Sequence, residues 1–242
     1  MDITLNAINL KSKDYGENDK MCTLYSVELG KFSAVFKGVK KASAKLKFAA
    51  QPFCFGEYTL ATGKGGYIVT GCVSNSQFFE ISSDIDKFYT GCSILECVEH
   101  CSAENAKNPA LFLLILKTLT SLNFSDDLSE KFLVYFIINA VKISGYKLTF
   151  DKCVNCKNKL SDKVFFSADS GGFTCGLCRN GLPVSMPIYN TLRLISITDY
   201  EKLSSLKLNR EDLKESLKIL NYFFNHCTGV SISVLSQYLK LE

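Results

Sequence analysis

Tryptophan is absent from the 242 residues, proline occurs four times, and arginine is confined to positions 179, 193 and 210. Scarce proline without any low-complexity tract argues against a disordered chain or a polyproline spacer. Positive charge carried almost wholly by lysine argues against bidentate base reading, because a lysine meets phosphate as a point charge. Long apolar runs are also missing. The strongest, Ala110 to Leu116 and Phe132 to Val141, fall far short of the roughly 20 residues that cross a bilayer, so no membrane partner is expected. The N-terminal stretch MDITLNAINLKSKDYGEND has no basic start followed by an apolar block, which predicts a soluble intracellular protein without a signal peptide. Catalytic signatures are lacking too. There is no Gly-x-Ser-x-Gly elbow, no His-x-Glu ahead of Pro-Cys-x-x-Cys, and no phosphate loop that opens a helix. Thr62-Gly-Lys-Gly-Gly66 joins two extended runs and reads as a hairpin turn. The expectation is a protein that is not an enzyme.

What is present is a hydrophobic fraction of 47%, enough for a substantial core in one large domain or two smaller ones. The first 80 or so residues read as five short strands: Ile3 to Leu10, Met21 to Val27, Phe32 to Phe36, Phe53 to Ala61 and Tyr67 to Val73. Turn clusters at Asp14 to Asp19 and Leu29 to Lys31 separate the first three, as a small antiparallel barrel or sandwich requires. From about Asp84 the apolar period changes from 2 to 3.6. Helices are expected over 84–103, 109–123 and 128–144. Asn108-Pro109 supplies an N-cap and first-turn proline, Asp127 with Glu130 reads as a capping box, and Gly145 as a stop. The helix from 128 is apolar on most sides and should be central. Further helices follow from Pro187, from Asn209 and after Gly229.

Between these helices lies Cys153-x-x-Cys156, an 18-residue gap, and Cys175-x-x-Cys178. Two Cys-x-x-Cys turns aim four thiolates at one point, which is the tetrahedral set that zinc prefers. Val164 to Phe166, Gly171-Gly172 and Phe173-Thr174 supply strand, turn and return strand of a ribbon. Four thiolates leave no coordination position open, so one structural zinc ion is expected rather than a catalytic one. Segment 150–183 contains few large apolar residues, and the ion is expected to hold its shape. The remaining cysteines, among them Cys92, Cys97 and Cys101, read as small hydrophobes in a reduced compartment.

Between Leu29 and Gly56 the chain carries Lys31, Lys37, Lys40, Lys41, Lys45 and Lys47 and no acid, although its net charge is only +4. Phe32, Phe36, Phe48 and Phe53 are interleaved with them. Lysines for phosphates and aromatic faces for bases would suit sequence-independent binding of single-stranded DNA. The competing account is a solvated lysine loop with phenylalanines that simply fill the barrel. If about five lysines neutralise phosphates of a single strand, affinity falls roughly 100-fold between 50 and 200 mM salt.

These features in this order resemble the bacterial DNA repair protein RecO family. Asp14-Tyr15-Gly16-Glu17 is similar to the family's loop after its first strand, Gly30-Lys31 to its turn before the third, and Gly38-Val39-Lys40-Lys41 to its glycine-then-basic segment. Gln51-Pro52-Phe53 is similar to its approach to the fourth strand. Gly145-Tyr146 and Gly171-Gly172-Phe173 precede the two cysteine pairs as in its ribbon. The family often has arginine where this chain has Lys40 and Lys41, and not every relative keeps the four cysteines. The resemblance implies an α+β protein with a five-stranded OB-fold barrel over 1–80. A helical domain over 81–149 and 184–242 would follow, with the zinc ribbon inserted at 150–183. It implies binding of single- and double-stranded DNA at Lys31, Lys37, Lys40, Lys41, Lys45 and Lys47, annealing of complementary strands, and loading of the RecA recombinase. The implied partners are RecR, at the barrel side, and the acidic C-terminal tail of the single-stranded-DNA-binding protein, at the helical domain. The implied setting is the bacterial cytoplasm, on the nucleoid. A zinc-ribbon scaffold that binds only proteins is the alternative from another class.

Overall fold

A computed structural model describes residues 2–63 and 65–241. Five strands close into a barrel: β1 Asp2–Tyr15, β2 Asp19–Ser26, β3 Gly30–Phe36, β4 Phe55–Gly63 and β5 Gly66–Ser76. Their order around the barrel is β1-β2-β3-β5-β4, with β3 and β5 parallel and β1 closing antiparallel on β4. This arrangement is the Greek-key barrel of the OB-fold expectation. The β4–β5 hairpin closes at Gly63 and Gly66, and Lys64 of that turn lies outside the described residues.

β1 is longer than its apolar pattern indicated and runs on to Tyr15, because the polar stretch Lys11 to Tyr15 still pairs with Asp19 to Thr23 of β2. A bulge between Asn9 and Lys11 shifts the register there. The chain at Phe53–Cys54 bonds to Asn9 at this point, through Asn9 N to Cys54 O at 2.9 Å and Phe53 N to Asn9 O at 3.0 Å. Residues 7–10 are all buried, which a strand with one wet face does not allow. The two faces of β1 have different partners. Leu5 and Ala7 fill the barrel together with Cys22, Leu24, Phe32 and Phe36, whereas Ile8 and Leu10 join the helical core.

The helices are α1 Phe79–Ser83, α2 Ile85–Cys101, α3 Pro109–Phe124, α4 Ser129–Ile143, α5 Met186–Ile197, α6 Arg210–Thr228 and α7 Ser233–Tyr238, with a 3-10 turn at Tyr200–Ser205. Asp84 caps α2 by accepting from Lys87 N, and Asn108 caps α3 by accepting from Leu111 N. Asn209 caps α6, which ends at Gly229 with φ 79°. α4 packs against α2, α3, α5 and α6 and is the central helix.

The capping box expected at its start is not formed. Asp127 instead pairs with Lys131 at 2.8 Å, and Glu130 is fully buried. Arg210 Nε donates to the Glu130 carboxylate at 2.7 Å and the Tyr238 hydroxyl donates at 2.6 Å, while Arg210 also pairs with Asp86. A buried carboxylate requires such partners, and they are worth more to Glu130 than a surface cap. Burial and the Glu130 carboxylate push the Tyr238 hydroxyl well above its ordinary value, so it stays a donor.

The outer face of the barrel joins the helical core, while the barrel interior keeps a core of its own. Tyr25 on the outer face of β2 stacks on Phe112 of α3 with ring centroids 6.3 Å apart, and Phe55 meets Phe112 edge-on. Gly30 lies so close to the loop before α3 that a Cβ there would sit 2.2 Å from Ala106 O. The turn between β2 and β3 is thus pressed into the helical layer, and only glycine fits.

Candidate metal centre and nucleic-acid interface

Three short strands, β6 Val164–Ser167, β7 Gly172–Cys175 and β8 Leu182–Val184, form a sheet in the order β7-β6-β8. The β6–β7 hairpin carries the second cysteine pair at its end. Both pairs are folded alike. Lys157 N bonds to Cys153 O at 2.9 Å and Arg179 N to Cys175 O at 3.0 Å, and Lys157 and Arg179 both take the left-handed conformation. Their side chains also fold back, Lys157 Nζ onto Val154 O and Arg179 Nε onto Gly176 O. These two turns bring the sulfurs of Cys153, Cys156, Cys175 and Cys178 within 4.8 Å of one another. The Sγ atoms of Cys156 and Cys175 are 3.6 Å apart. Zinc–sulfur bonds of about 2.3 Å in a regular tetrahedron place sulfurs about 3.8 Å apart, so the set fits zinc.

The local backbone is arranged for thiolates. Burial of Cys153 opposes its ionisation, but N–H groups of Cys156, Cys175 and Asn155 outweigh it and bring the thiol down to about 6. The N–H groups of Cys178 and Leu177 lower Cys175 likewise. Cys175 N donates to Cys153 Sγ at 3.4 Å, which links the two halves. Among the described residues these four are the sole group of histidine, cysteine or carboxylate side chains able to share a metal.

The ribbon is also packed against the helices. Phe150, Leu160, Val164, Phe166 and Phe173 are buried and belong to the helical core. Phe166 meets Phe223 of α6 at 5.7 Å between ring centroids, Phe173 meets Tyr189 of α5 at 5.0 Å, and the Tyr189 hydroxyl donates to Phe150 O at 2.8 Å. Phe166 and Phe173 thus each find an aromatic partner, supplied by α6 and α5 respectively. The ribbon therefore has one side held by packing and one by cysteines.

The lysine segment runs from the end of β3 across the barrel to β4. Val39, Ala49, Ala50 and Cys54 turn inward and plug the barrel. Lys37, Lys40, Lys41, Lys45 and Lys47 are exposed. Lys31 lies elsewhere: its Nζ donates to Glu99 O at 2.6 Å and sits 3.9 Å from Glu104, so it ties β3 to the C-terminal end of α2. The segment is also less positive than it reads, because the fold returns acids to it. In the antiparallel β2–β3 pair, Lys20 stands opposite Phe36, which brings Asp19 against Lys37 at 2.8 Å. Lys40 pairs with Asp14 at 2.7 Å. The Gly38 N–H and the Lys37 ammonium hold the Asp19 carboxyl below its usual range. Lys41, Lys45 and Lys47 have no ion pair among the described residues. The interleaved aromatics are mostly structural: Phe32 and Phe36 fill the barrel and Phe53 the junction with the helices. Of the four, Phe48 alone is part-exposed.

No helix among the described residues is long and apolar enough to cross a membrane. Residues 1–77 match the family model described as recombination protein O N terminal, and residues 82–232 the one described as recombination protein O C terminal. The DNA repair protein RecO of Dehalococcoides mccartyi is 35% identical over 218 residues, which cover 88% of this chain and 86% of that protein. The DNA repair protein RecO of Clostridium perfringens is 30% identical over 225 residues, 92% of each chain. That of Shouchella clausii is 27% identical over 231 residues, 94% of this chain and 90% of the relative.

Proposed function

The chain belongs to the RecO family of DNA repair proteins, and from this premise we propose that it binds single- and double-stranded DNA without sequence preference and anneals complementary strands. The observation that carries the reading is the row of Lys41, Lys45 and Lys47, exposed and without ion pairs among the described residues, on the segment that closes the barrel. Lys37 and Lys40 flank it, each beside an acid. Annealing needs no covalent chemistry. A positive surface reduces repulsion between two strands, and weak, sequence-tolerant contacts let bases search for register. The proposed role is accordingly not enzymatic.

In the same reading the protein works in the bacterial cytoplasm on the nucleoid. There it acts with RecR at the barrel side and takes the acidic tail of the single-stranded-DNA-binding protein on the helical domain. Together they load RecA on coated strands. Family membership supports these partners. We also propose one structural zinc ion on Cys153, Cys156, Cys175 and Cys178, supported by the converging sulfurs and the N–H groups around them. With four thiolates on the ion, no position remains for substrate.

The test is strand annealing by the triple variant Lys41→Glu, Lys45→Glu, Lys47→Glu, since none of these three lysines forms an ion pair among the described residues, whereas Lys37 and Lys40 do. Loss of annealing with an unchanged melting curve is expected. Unchanged annealing would instead favour a ribbon scaffold that binds only proteins.

A further inference from the structure

Beside the lysine segment, a cleft of about 390 Å³ opens where the barrel's crossover meets α1 and α2. The crossover contributes Phe48, Gln51 and Phe53, and the helical side contributes Gln77, Phe79 and Phe88. Phe79 is 69% exposed and Phe88 42%, two rings left to solvent at one place. The backbone is strained at both rims: Phe53 has φ 70° and Phe78 φ 48°, a region that bulky side chains rarely occupy. At the second rim Phe78 is buried while its neighbour Phe79 is left outside. Phe53 in turn meets Phe88 edge-on at 6.4 Å between centroids.

The chemistry of the cleft is narrow. No lysine, arginine, histidine, aspartate or glutamate lines it; its polar groups are the neutral amides of Gln51 and Gln77, the Ser82 hydroxyl and the thiols of Cys54 and Cys92. Positive charge begins just outside, at Lys47, whose carbonyl oxygen accepts from Gln51 Nε2 at 3.5 Å, and continues two residues back along the chain at the exposed Lys45. A nucleobase is flat, uncharged and edged with amide-like donors and acceptors, and it is flanked by phosphates. An acidic peptide would need a cation inside the cleft, and a paired base in a duplex has no free face to offer.

We infer that the cleft takes an unpaired base of single-stranded DNA, stacked on Phe79 and Phe88, with Lys45 and Lys47 on the adjoining phosphates; this rests on the DNA-binding reading above. Stacking of this kind tolerates every base and adds a preference for single strands that the lysines do not provide.

Because the chain has no tryptophan, Phe79→Trp places a single fluorophore in the cleft. Oligothymidine should quench it, and a duplex of equal length should not. Phe79→Ala, at an exposed position, should weaken oligothymidine binding about fivefold or more and leave duplex binding and the salt slope unchanged. Absent quenching together with unchanged binding by Phe79→Ala would overturn the stacking site. If the triple lysine variant still lost DNA binding, the DNA reading itself would stand. Quenching by an acidic peptide and not by oligothymidine would also overturn it, and make the cleft a peptide site. Failure of the wild type to bind any DNA at low salt would remove the DNA reading and this inference with it.

Discussion

The salt dependence of single-strand binding offers a quantitative test, because the structure alters the number of lysines available. Counted along the chain, Lys37, Lys40, Lys41, Lys45 and Lys47 give five contacts once Lys31 is set aside at the helix junction. Each phosphate neutralised on a single strand contributes about −0.7 to the slope of log affinity against log salt, so five contacts give about −3.5. Asp19 and Asp14, however, already sit on Lys37 and Lys40 at 2.8 and 2.7 Å. If those pairs persist in the complex, three lysines remain and the slope is about −2. Between 50 and 200 mM salt, affinity then falls about 20-fold rather than about 100-fold.

Asp14→Asn discriminates, since it releases Lys40 while Gly38 stays bonded to Asp19. The slope should steepen to about −2.8 and low-salt affinity should rise. An exposed pair of this kind contributes little to stability, so the fold should be unaffected. Fluorescence anisotropy of labelled oligothymidine across a salt series measures both slopes. A wild-type slope near −3.5 that does not respond to Asp14→Asn would refute the shielding by acids. A slope smaller than about one would refute the lysine segment as the interface.

Freshly purified protein should contain one zinc ion per chain by metal analysis, and Cys175→Ser should lose it. Because packing holds one side of the ribbon, metal loss should raise amide exchange over 153–178 while α4 stays protected; protein without zinc, or exchange unchanged on its removal, would contradict this. Arg210→Met leaves the buried Glu130 without its cation, with only the Tyr238 and Ser129 hydroxyls as donors among the described residues, and should cost about 3–5 kcal/mol by urea unfolding. The double change with Glu130→Gln should recover part of it, and a cost under about 1 kcal/mol would show that Glu130 is otherwise satisfied. Since its folded-state value is depressed, Asp19 contributes stability above the unfolded carboxyl value near 3.9, and this is lost as pH falls through the lower folded value. The Gly38 amide resonance should therefore titrate with a midpoint below about 3.9, and one at or above it would refute the bond from Gly38 N.

Local signals were read well wherever one residue carries the information itself. Asn108-Pro109, Asn209 and Gly145 mark helix ends through their own side chains or φ preference, and the structure places the ends there. The two Cys-x-x-Cys turns are equally local, so the gathering of the four thiols was legible before any fold was known. Signals that depend on a distant partner were misread. Asp127 and Glu130 have the spacing of a capping box, but Arg210, 80 residues further on, takes Glu130 for the interior. The ring partners of Phe166 and Phe173, Phe223 and Tyr189, likewise lie on distant elements, α6 and α5.

The lysine segment belongs to the second kind, yet part of its correction was already legible. A β2–β3 hairpin turning at residues 27–29 must set residue 20 opposite residue 36, and so return Asp19 to Lys37. Pairing arithmetic on strands already recognised would have found that acid. No such rule leads to Phe79 and Phe88. Their exposure follows from the left-handed turn at Phe78 and from the docking of α1 and α2 beside the crossover. The docking in turn depends on a strand buried on both faces, Leu5 and Ala7 toward the barrel and Ile8 and Leu10 toward the helices. Period-2 alternation identifies one buried face of a strand; where both faces are buried it gives way to a continuous apolar run. The run Ala7 to Leu10, broken only by Asn9, is that signature at half length. It marks β1 as the wall common to barrel and helical core, and hence the junction as the place where the two parts of the molecule can build a site that neither holds alone.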